Sequence, residues 1–511
     1  MNSNFDRTNN KTILKNTMFL YLRMLVLLIV SLYTSRIVLQ NLGIEDFGLY
    51  NVVGSVVLFI SFIQGSLSTS ASRFLSFEIG RGTNESLRRV FCMILNNHII
   101  IACIILLIFE TGGLWYVNNK LVIPDGREEA VAIVYQLSII STLMAILVVP
   151  YRAVIISQER MKAFAYLSIV EVFLKLGIAI CLAYTSYDKL VVYGFLLCIV
   201  HMAVNLLYYI YCRRNFSETK YSLCWDKSMF SSMFTFTWWS VFSYAPALVS
   251  QLYNLLLNLF FGPIVNAARA VSYQVQGQIS QLVNNFQTAL NPQIVKNYSA
   301  KDANRVNELV MMSAKISFSL LFIILMILLT NIDFILAIWL VEVPEQTALF
   351  ICIIAISSVF SSFSNPLGVV AEAANQLGRY NIIVAPFYIS MIPVAYFALK
   401  FGAPAYSIFI VLSLFEFIAF YIKYGIVKKI FSQLTTGLPR FYLVCTSSVF
   451  TASVVGYMLI EVFGNTILGF LIKSVISILF STLWIYLIIL SSQERNKVVD
   501  VVKSKLKIKS E

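Results

Sequence analysis

The sequence predicts an all-α integral membrane protein of about fourteen transmembrane helices. Three observations carry this: too little charge for a soluble particle, apolar runs of bilayer length along the whole chain, and cations concentrated in alternate connections. Of the 511 residues, 59% are hydrophobic and 12% charged, whereas soluble domains carry about a quarter charged residues. A mean hydropathy of +0.80 leaves too little polar surface to cover a particle in water. The net charge of +13 would suit nucleic acid, but its placement between apolar runs argues for membrane topology and against a nucleic-acid partner.

A span needs roughly 20 apolar residues. Runs of that kind place helices near 14–40, 47–79, 88–110, 129–157, 163–184, 190–212, 229–261, 264–295, 306–332, 347–376, 380–400, 404–428, 440–462 and 466–490. The breaks carry turn chemistry: Gly112-Gly113, Pro124-Asp125-Gly126, Gly262-Pro263, Pro344, Gly402 to Pro404 and Gly437 to Pro439. The first run is too long for the apolar part of a cleavable signal, and no small-x-small site follows it.

Orientation follows from lysine and arginine in the connections. With the N-terminus inside, the inner segments hold 26 of the 38 cations and the outer loops only Lys120, Arg127, Lys189 and Lys400. The expectation is a multi-pass membrane protein with both termini cytoplasmic. The longest outer loop, about 111–128, is too short to fold by itself.

The chain also repeats. Leu42-Gly43 matches Phe261-Gly262 at an offset of 219, and the connection Gly80 through Arg89 matches Ser299 through Arg305 at an offset near 217. Two parallel six-helix repeats, plus two extra C-terminal helices, account for this. The expected division is a six-helix lobe over 1–212, a cytoplasmic linker over 213–228, a second six-helix lobe over 229–429, two additional helices over 430–490 and a basic cytoplasmic tail over 491–511.

Cysteines fall mostly within apolar runs, no CxxC occurs, and His98 and His201 are far apart. This predicts neither a disulfide framework nor a metal site, and there is no candidate catalytic residue.

The polar residues inside the spans carry the functional signal, because a charge at the bilayer centre costs about 2.5–3.5 kcal/mol. Arg73, Arg152 and Lys315 lie close enough to the inner surface to snorkel. Arg23 is eight residues beyond Lys15, about 12 Å at 1.5 Å per residue, which snorkelling serves less well. With Arg36 and Arg269 it forms a candidate cationic ladder, against which stands headgroup anchoring. Around 264–295, Asn266, Arg269, Tyr273, Gln276, Ser280, Asn284, Gln287 and Asn291 recur every three or four residues, and Gln251, Asn254 and Asn258 precede them. Such a stripe cannot face lipid; it lines a water-filled cavity or bonds helix to helix. Glu171 and Lys175 share a helix face at i,i+4, as a structural pair or an ion-coupling site. Glu416, mid-span, is a further coupling candidate, and so is Glu372. Coupling would use H+ or Na+, with no resident cofactor.

Particular segments resemble a known family. Thr34-Ser35-Arg36-Ile37-Val38-Leu39-Gln40-Asn41-Leu42-Gly43, followed by Phe47-Gly48-Leu49-Tyr50, resembles the first two helices of bacterial polysaccharide (Wzx-type O-antigen) flippases, MATE-like members of the multidrug/oligosaccharidyl-lipid/polysaccharide exporter superfamily. Ser70 to Leu75, Asn266 to Val271 and Asn291 to Lys296 are similar too. The resemblance implies a V-shaped cavity, alternating access and movement of undecaprenyl-pyrophosphate-linked sugar units to the outer leaflet. It also implies a cationic lumen, to which Arg23, Arg36 and Arg269 supply matching charge.

These readings converge on a lipid-linked oligosaccharide flippase for O-antigen, capsule or exopolysaccharide synthesis. Its partners would be membrane lipids and the polysaccharide polymerase and glycosyltransferases of the same pathway. Arginines would take the pyrophosphate, and Gln251, Asn254, Asn258, Asn266, Tyr273, Gln276 and Asn284 the glycan. A cation-coupled multidrug exporter is the alternative, though it would favour acidic and aromatic lumen groups. A membrane glycan polymerase would need catalytic groups in larger outer loops.

Overall fold

Inside a bilayer no water satisfies the backbone, so a long apolar run closes its hydrogen bonds as a helix. The computed structural model describes residues 2–58, 61–79, 84–158, 160–222 and 224–496, and helices are the only regular elements among them. In order they are α1 (Asn2–Leu58), α2 (Ser61–Ile79), α3 (Asn84–Ile108), α4 (Leu114–Asn119), α5 (Glu128–Leu147), α6 (Val149–Ser157), α7 (Met161–Leu182), α8 (Lys189–Asn215), α9 (Lys227–Val241) and α10 (Ala245–Phe261). There follow α11 (Pro263–Ser299), α12 (Ala303–Trp339), α13 (Thr347–Ser362), α14 (Asn365–Ala373), α15 (Leu377–Ile389), α16 (Met391–Lys400), α17 (Ser407–Ile430), α18 (Gly437–Val462) and α19 (Ile467–Trp484).

Eleven helical segments of the described residues are long and apolar enough to cross a membrane, fewer than the fourteen expected. The three expected spans outside that set are 47–79, 229–261 and 264–295. The first falls on the end of α1 and on α2; the second is broken into α9 and α10 by a 3-10 turn at Phe242–Tyr244; the third, α11, is too rich in amides.

The repeat appears in the backbone. Gly43 (φ 79°, ψ 169°) interrupts α1, and Gly262 (φ 75°, ψ −173°) separates α10 from α11 with the same conformation, 219 residues later. Both lie in the left-handed half of φ space, which glycine enters without the Cβ penalty. Pro150 opens α6 after a break at the end of α5, and Pro366 opens α14 after a break at the end of α13, 216 residues on. Proline at the first turn lacks only an N–H that would have no helical partner there.

Two compact units make up the chain: Met1–Ala270 with Trp339–Pro344, and Val271–Ile338 with Glu345–Glu511. In the first, α1 packs chiefly on α7 and α5, α5 on α8, and α2 on α6 and α9. Gly48 of α1 lies against the Pro263 backbone so closely that a Cβ there would overlap its carbonyl. The 213–228 segment, expected as a linker, lies inside this unit: Arg88 Nε donates to the Lys220 carbonyl (2.8 Å) and Asn96 Nδ2 to the Cys224 carbonyl (2.9 Å).

One charged cluster ties three elements of this unit. Arg127 grips Asp46 of α1 through Nε (3.0 Å) and Nη2 (2.5 Å). It also holds Asp188, the residue capping α8, through Nη1 (2.5 Å) and Nη2 (3.3 Å). Asp188 Oδ1 in turn accepts from the amides of Leu190 and Val191. Burial disfavours the Asp188 carboxylate, but the bonds from Arg127 and these amides outweigh it and hold its pKa below the usual aspartate value. The Arg127 pKa is raised: burial opposes its charge, and Asp188 and Asp46 overcome that.

In the second unit, α17 is the hub, packed by α13, α14, α15 and α16. Its core is aromatic: the Tyr442 ring lies 3.9 Å from that of Phe420 and 4.9 Å from that of Phe363. α19 shows the inverted pattern of a lipid-facing helix. Gly469, Lys473, Ser477 and Ser481 are buried at four-residue intervals, whereas Leu468, Leu471, Val475, Leu479 and Leu483 are exposed. Ser477 meets Thr330 of α12 through their hydroxyls at 3.0 Å, and Lys473 donates to Asn465 (3.1 Å).

Candidate functional site

A partly open cavity of about 280 Å³ in the first unit is lined by α1 and α5 to α8. The sequence builds it by local exceptions. The break at Val148–Pro150 starts α6 anew and sets Arg152 on the wall. Gly194 lets α8 approach α5, since a Cβ there would stand 3.2 Å from Val134 Cγ2. Besides Arg152, the polar groups on a lining that is otherwise apolar are Tyr50 and Asn51 from α1, Ser138, Ser141 and Thr142 from α5, Glu171 from α7, and His201 and Asn205 from α8.

Glu171 is the electrostatic centre. Lys175 Nζ donates to its Oε1 at 2.8 Å, as the i,i+4 spacing predicts, and Arg152 Nη2 to its Oε2 at 3.3 Å. Sequence reasoning paired Glu171 with Lys175 and left Arg152 to snorkel; the structure makes a triad. Nothing in the linear spacing links residues 152 and 171, because their approach depends on how α6 packs on α7. The Arg152 guanidinium also lies over the Tyr208 ring, 4.9 Å from its centroid. The buried Nε of Arg152 and Nδ1 of His201 have no hydrogen-bond partner.

The other candidates sit elsewhere. The side chain of Arg23 lies outside the described residues, and Arg36 is half-buried on α1. Arg269 is buried and its Nη2 donates to the Ser250 carbonyl (2.5 Å) and hydroxyl (3.0 Å), tying α11 to α10. Asn254, Asn258 and Asn266 are buried and bonded within the same unit. Asn266 Nδ2 donates to Asn254 Oδ1 (2.6 Å), Asn254 Nδ2 to the Asn51 carbonyl (3.1 Å), and Asn258 Oδ1 accepts from the Val122 amide (2.9 Å). Gln251 is half-buried on α10.

Tyr273, Gln276 and Asn284 belong to the second unit. The Tyr273 ring lies 6.4 Å from that of Phe409, Gln276 Nε2 donates to Ser358 (3.4 Å), and the exposed Asn284 accepts from Asn365 (3.3 Å). Gln287 is buried, donating to Ser317 (3.0 Å) and the Ser362 carbonyl (2.9 Å). Glu416 is also buried there and accepts from the Tyr388 hydroxyl (2.8 Å), which in turn accepts from Lys423 Nζ (2.9 Å). Lys423, counted from sequence among the inner-loop cations, is instead 8% exposed in α17. Its partner Tyr388 carried no signal in the sequence, being one aromatic among many in apolar runs.

No family model matches the chain, and no curated relative does. Solved structures do, and they give the class of fold: that of MATE-type transporters of the MOP superfamily. A MOP superfamily transporter from Pyrococcus furiosus, described as having a binding pocket of reversed polarity, shares 12% identity at a TM-score of 0.61, covering 83% of this chain and 97% of that one. The inward-facing conformation of a multidrug resistance MATE family transporter gives 0.63 at 12% identity over 78% and 95%. An outward-facing conformation gives 0.61 at 12% over 83% and 97%.

Proposed function

We propose that the chain is an exporter of the bacterial cytoplasmic membrane, and specifically a flippase for undecaprenyl-pyrophosphate-linked oligosaccharides. The observation that carries this reading is the charged wall of the cavity in the first unit. There a single carboxylate is shared by two cations and surrounded by hydroxyls and amides, a chemistry suited to glycans and anions rather than to organic cations. The MATE-type fold supports an exporter, and the family-like segment around Arg36 supports the flippase branch.

In this reading Arg36 takes the pyrophosphate, with Arg23 below it on the same helix. Arg269 joins them only on releasing Ser250. Gln251, Tyr273, Gln276 and Asn284 meet the glycan, while Asn254, Asn258 and Asn266 hold α10 and α11 in place. The six-helix lobes expected over 1–212 and 229–429 would alternate in access, both termini would be cytoplasmic, and a polymerase and glycosyltransferases would work alongside. Glu171 and Glu416 are the groups through which H+ or Na+ would be coupled.

The test is surface polysaccharide in a flippase-null strain complemented with the chain. Wild type restores it, Arg36→Lys partly and Arg36→Ala less, because a guanidinium fork fits phosphate as an ammonium does not. Equal restoration by all three returns Arg36 to headgroup anchoring. The second reading, a cation-coupled multidrug exporter, draws on the MATE structures themselves. It gains if the chain fails to complement but lowers drug susceptibility.

A further inference from the structure

The cavity of the first unit sets a charged wall, Arg152 and Glu171, within a mixed polar and apolar lining. We propose that it is a subsite for one acidic sugar: a single pyranose ring bearing a carboxylate, as in a hexuronate. The flippase reading supplies only the source of the ring, a residue of the carried glycan; binding itself needs no transport.

Charge is the first argument. Glu171 is matched at 2.8 Å by Lys175, which does not belong to the lining, so its contact with Arg152 at 3.3 Å is surplus. That is long for a charge-assisted bond, which runs about 2.7–2.9 Å. One positive charge is therefore left over, and Arg152 is the group that presents it to the cavity. The Arg152 side chain is 31% exposed, and a carboxylate set against it would take its Nη–H groups in a charge-assisted pair.

Shape and the remaining lining select the rest of the ligand. About 280 Å³ is below the roughly 300–1,000 Å³ of sites for drug-sized molecules, and suits one ring. Ser138, Thr142 and Asn205 supply hydroxyls and an amide for ring hydroxyls, and Tyr50 an aromatic surface. A pyrophosphate fits worse: it brings more negative charge than the one surplus cation balances, and Glu171 on the same wall repels it.

The experiment is saturation-transfer NMR on the purified full chain in phospholipid nanodiscs, with methyl glucuronide as probe and methyl glucoside and acetate as controls. The uronoside should bind at least roughly tenfold more tightly than either control, the margin of one charge-assisted hydrogen bond. Arg152→Gln should remove that margin. Thr142→Leu, which keeps the charges and fills the cavity, should abolish binding and serves if Arg152→Gln does not fold. Equal binding of glucoside, displacement by acetate as effective as by uronoside, or an unchanged signal in Thr142→Leu would overturn the proposal. Complementation reports on the flippase reading separately: uronoside binding without complementation sinks that reading and leaves the subsite standing.

Discussion

Glu171 and Glu416 both lie within membrane helices, yet their surroundings give opposite responses to substitution. Glu171 has two cationic partners and a side chain one-fifth exposed. Removing Lys175 leaves Arg152 to pair with it, whereas removing Glu171 leaves two cations facing each other. Glu171→Gln should therefore lower the melting temperature of the purified protein more than Lys175→Met. Its cost should be about 1–3 kcal/mol, under the 3–5 kcal/mol of a fully buried pair because water reaches the carboxylate. The reverse order would mean that Lys175, not Glu171, anchors the triad. Glu416 and Lys423 are buried and joined through one phenol. Glu416→Gln alone strands a buried ammonium and should cost about 3–5 kcal/mol. Adding Lys423→Met should recover part of that loss. A double variant less stable than the single one would show that the ammonium finds its support elsewhere.

At the scale of elements, helix ends and close approaches decide stability. Gly48 of α1 permits contact with the Pro263 backbone, and backbone cannot retreat as a flexible side chain can. Gly48→Ala should therefore abolish monodisperse folded protein on size exclusion. Gly177 of α7 has open space where a Cβ would go, so Gly177→Ala should be neutral or gain up to about 1 kcal/mol from helix propensity. The Arg127 cluster gives these elements a pH response. Since the Asp188 pKa is lowered in the folded state, its stabilisation is complete above the ordinary aspartate value of about 3.9 and is lost as pH falls through the lower folded value. Thermal melts of wild type should be flat from about pH 7 to 5 and fall below about pH 4. Arg127→Gln should melt lower at neutral pH and show a shallower acid decline. An unchanged acid slope would remove the cluster from the account.

For the whole molecule, topology is the property with most at stake, since every assignment of an inner or outer role depends on it. The split of cations between alternate connections expects a cytoplasmic C-terminus and an outward Lys120. Lys120 lies at an exposed position, so Lys120→Cys should react with a membrane-impermeant maleimide in intact cells, while a reporter fused after Glu511 should read as cytoplasmic. Either result reversed would invert the scheme. The chain also repeats its irregularities 216 to 219 residues on, Gly43 with Gly262 and Pro150 with Pro366.

The sequence by itself determined the helical class, the repeat and the pairing of Glu171 with Lys175. Each depends on composition or on a short, fixed spacing: apolar length for a span, an offset for the repeat, four residues for one helix face. It also marked the amide stripe of α11 as unable to face lipid. Only tertiary structure decided what those amides do, because a buried asparagine and a cavity-lining one look alike in the linear chain. Asn266 donates to Asn254 of α10, and Gln287 to Ser317 of α12 and the Ser362 carbonyl of α13. Arg152 joining Glu171, Tyr388 bridging Glu416 to Lys423, and Arg127 holding Asp46 and Asp188 share the same reason. Each contact is made between different helices or connections, and their meeting is set by packing rather than by any period a sequence can display.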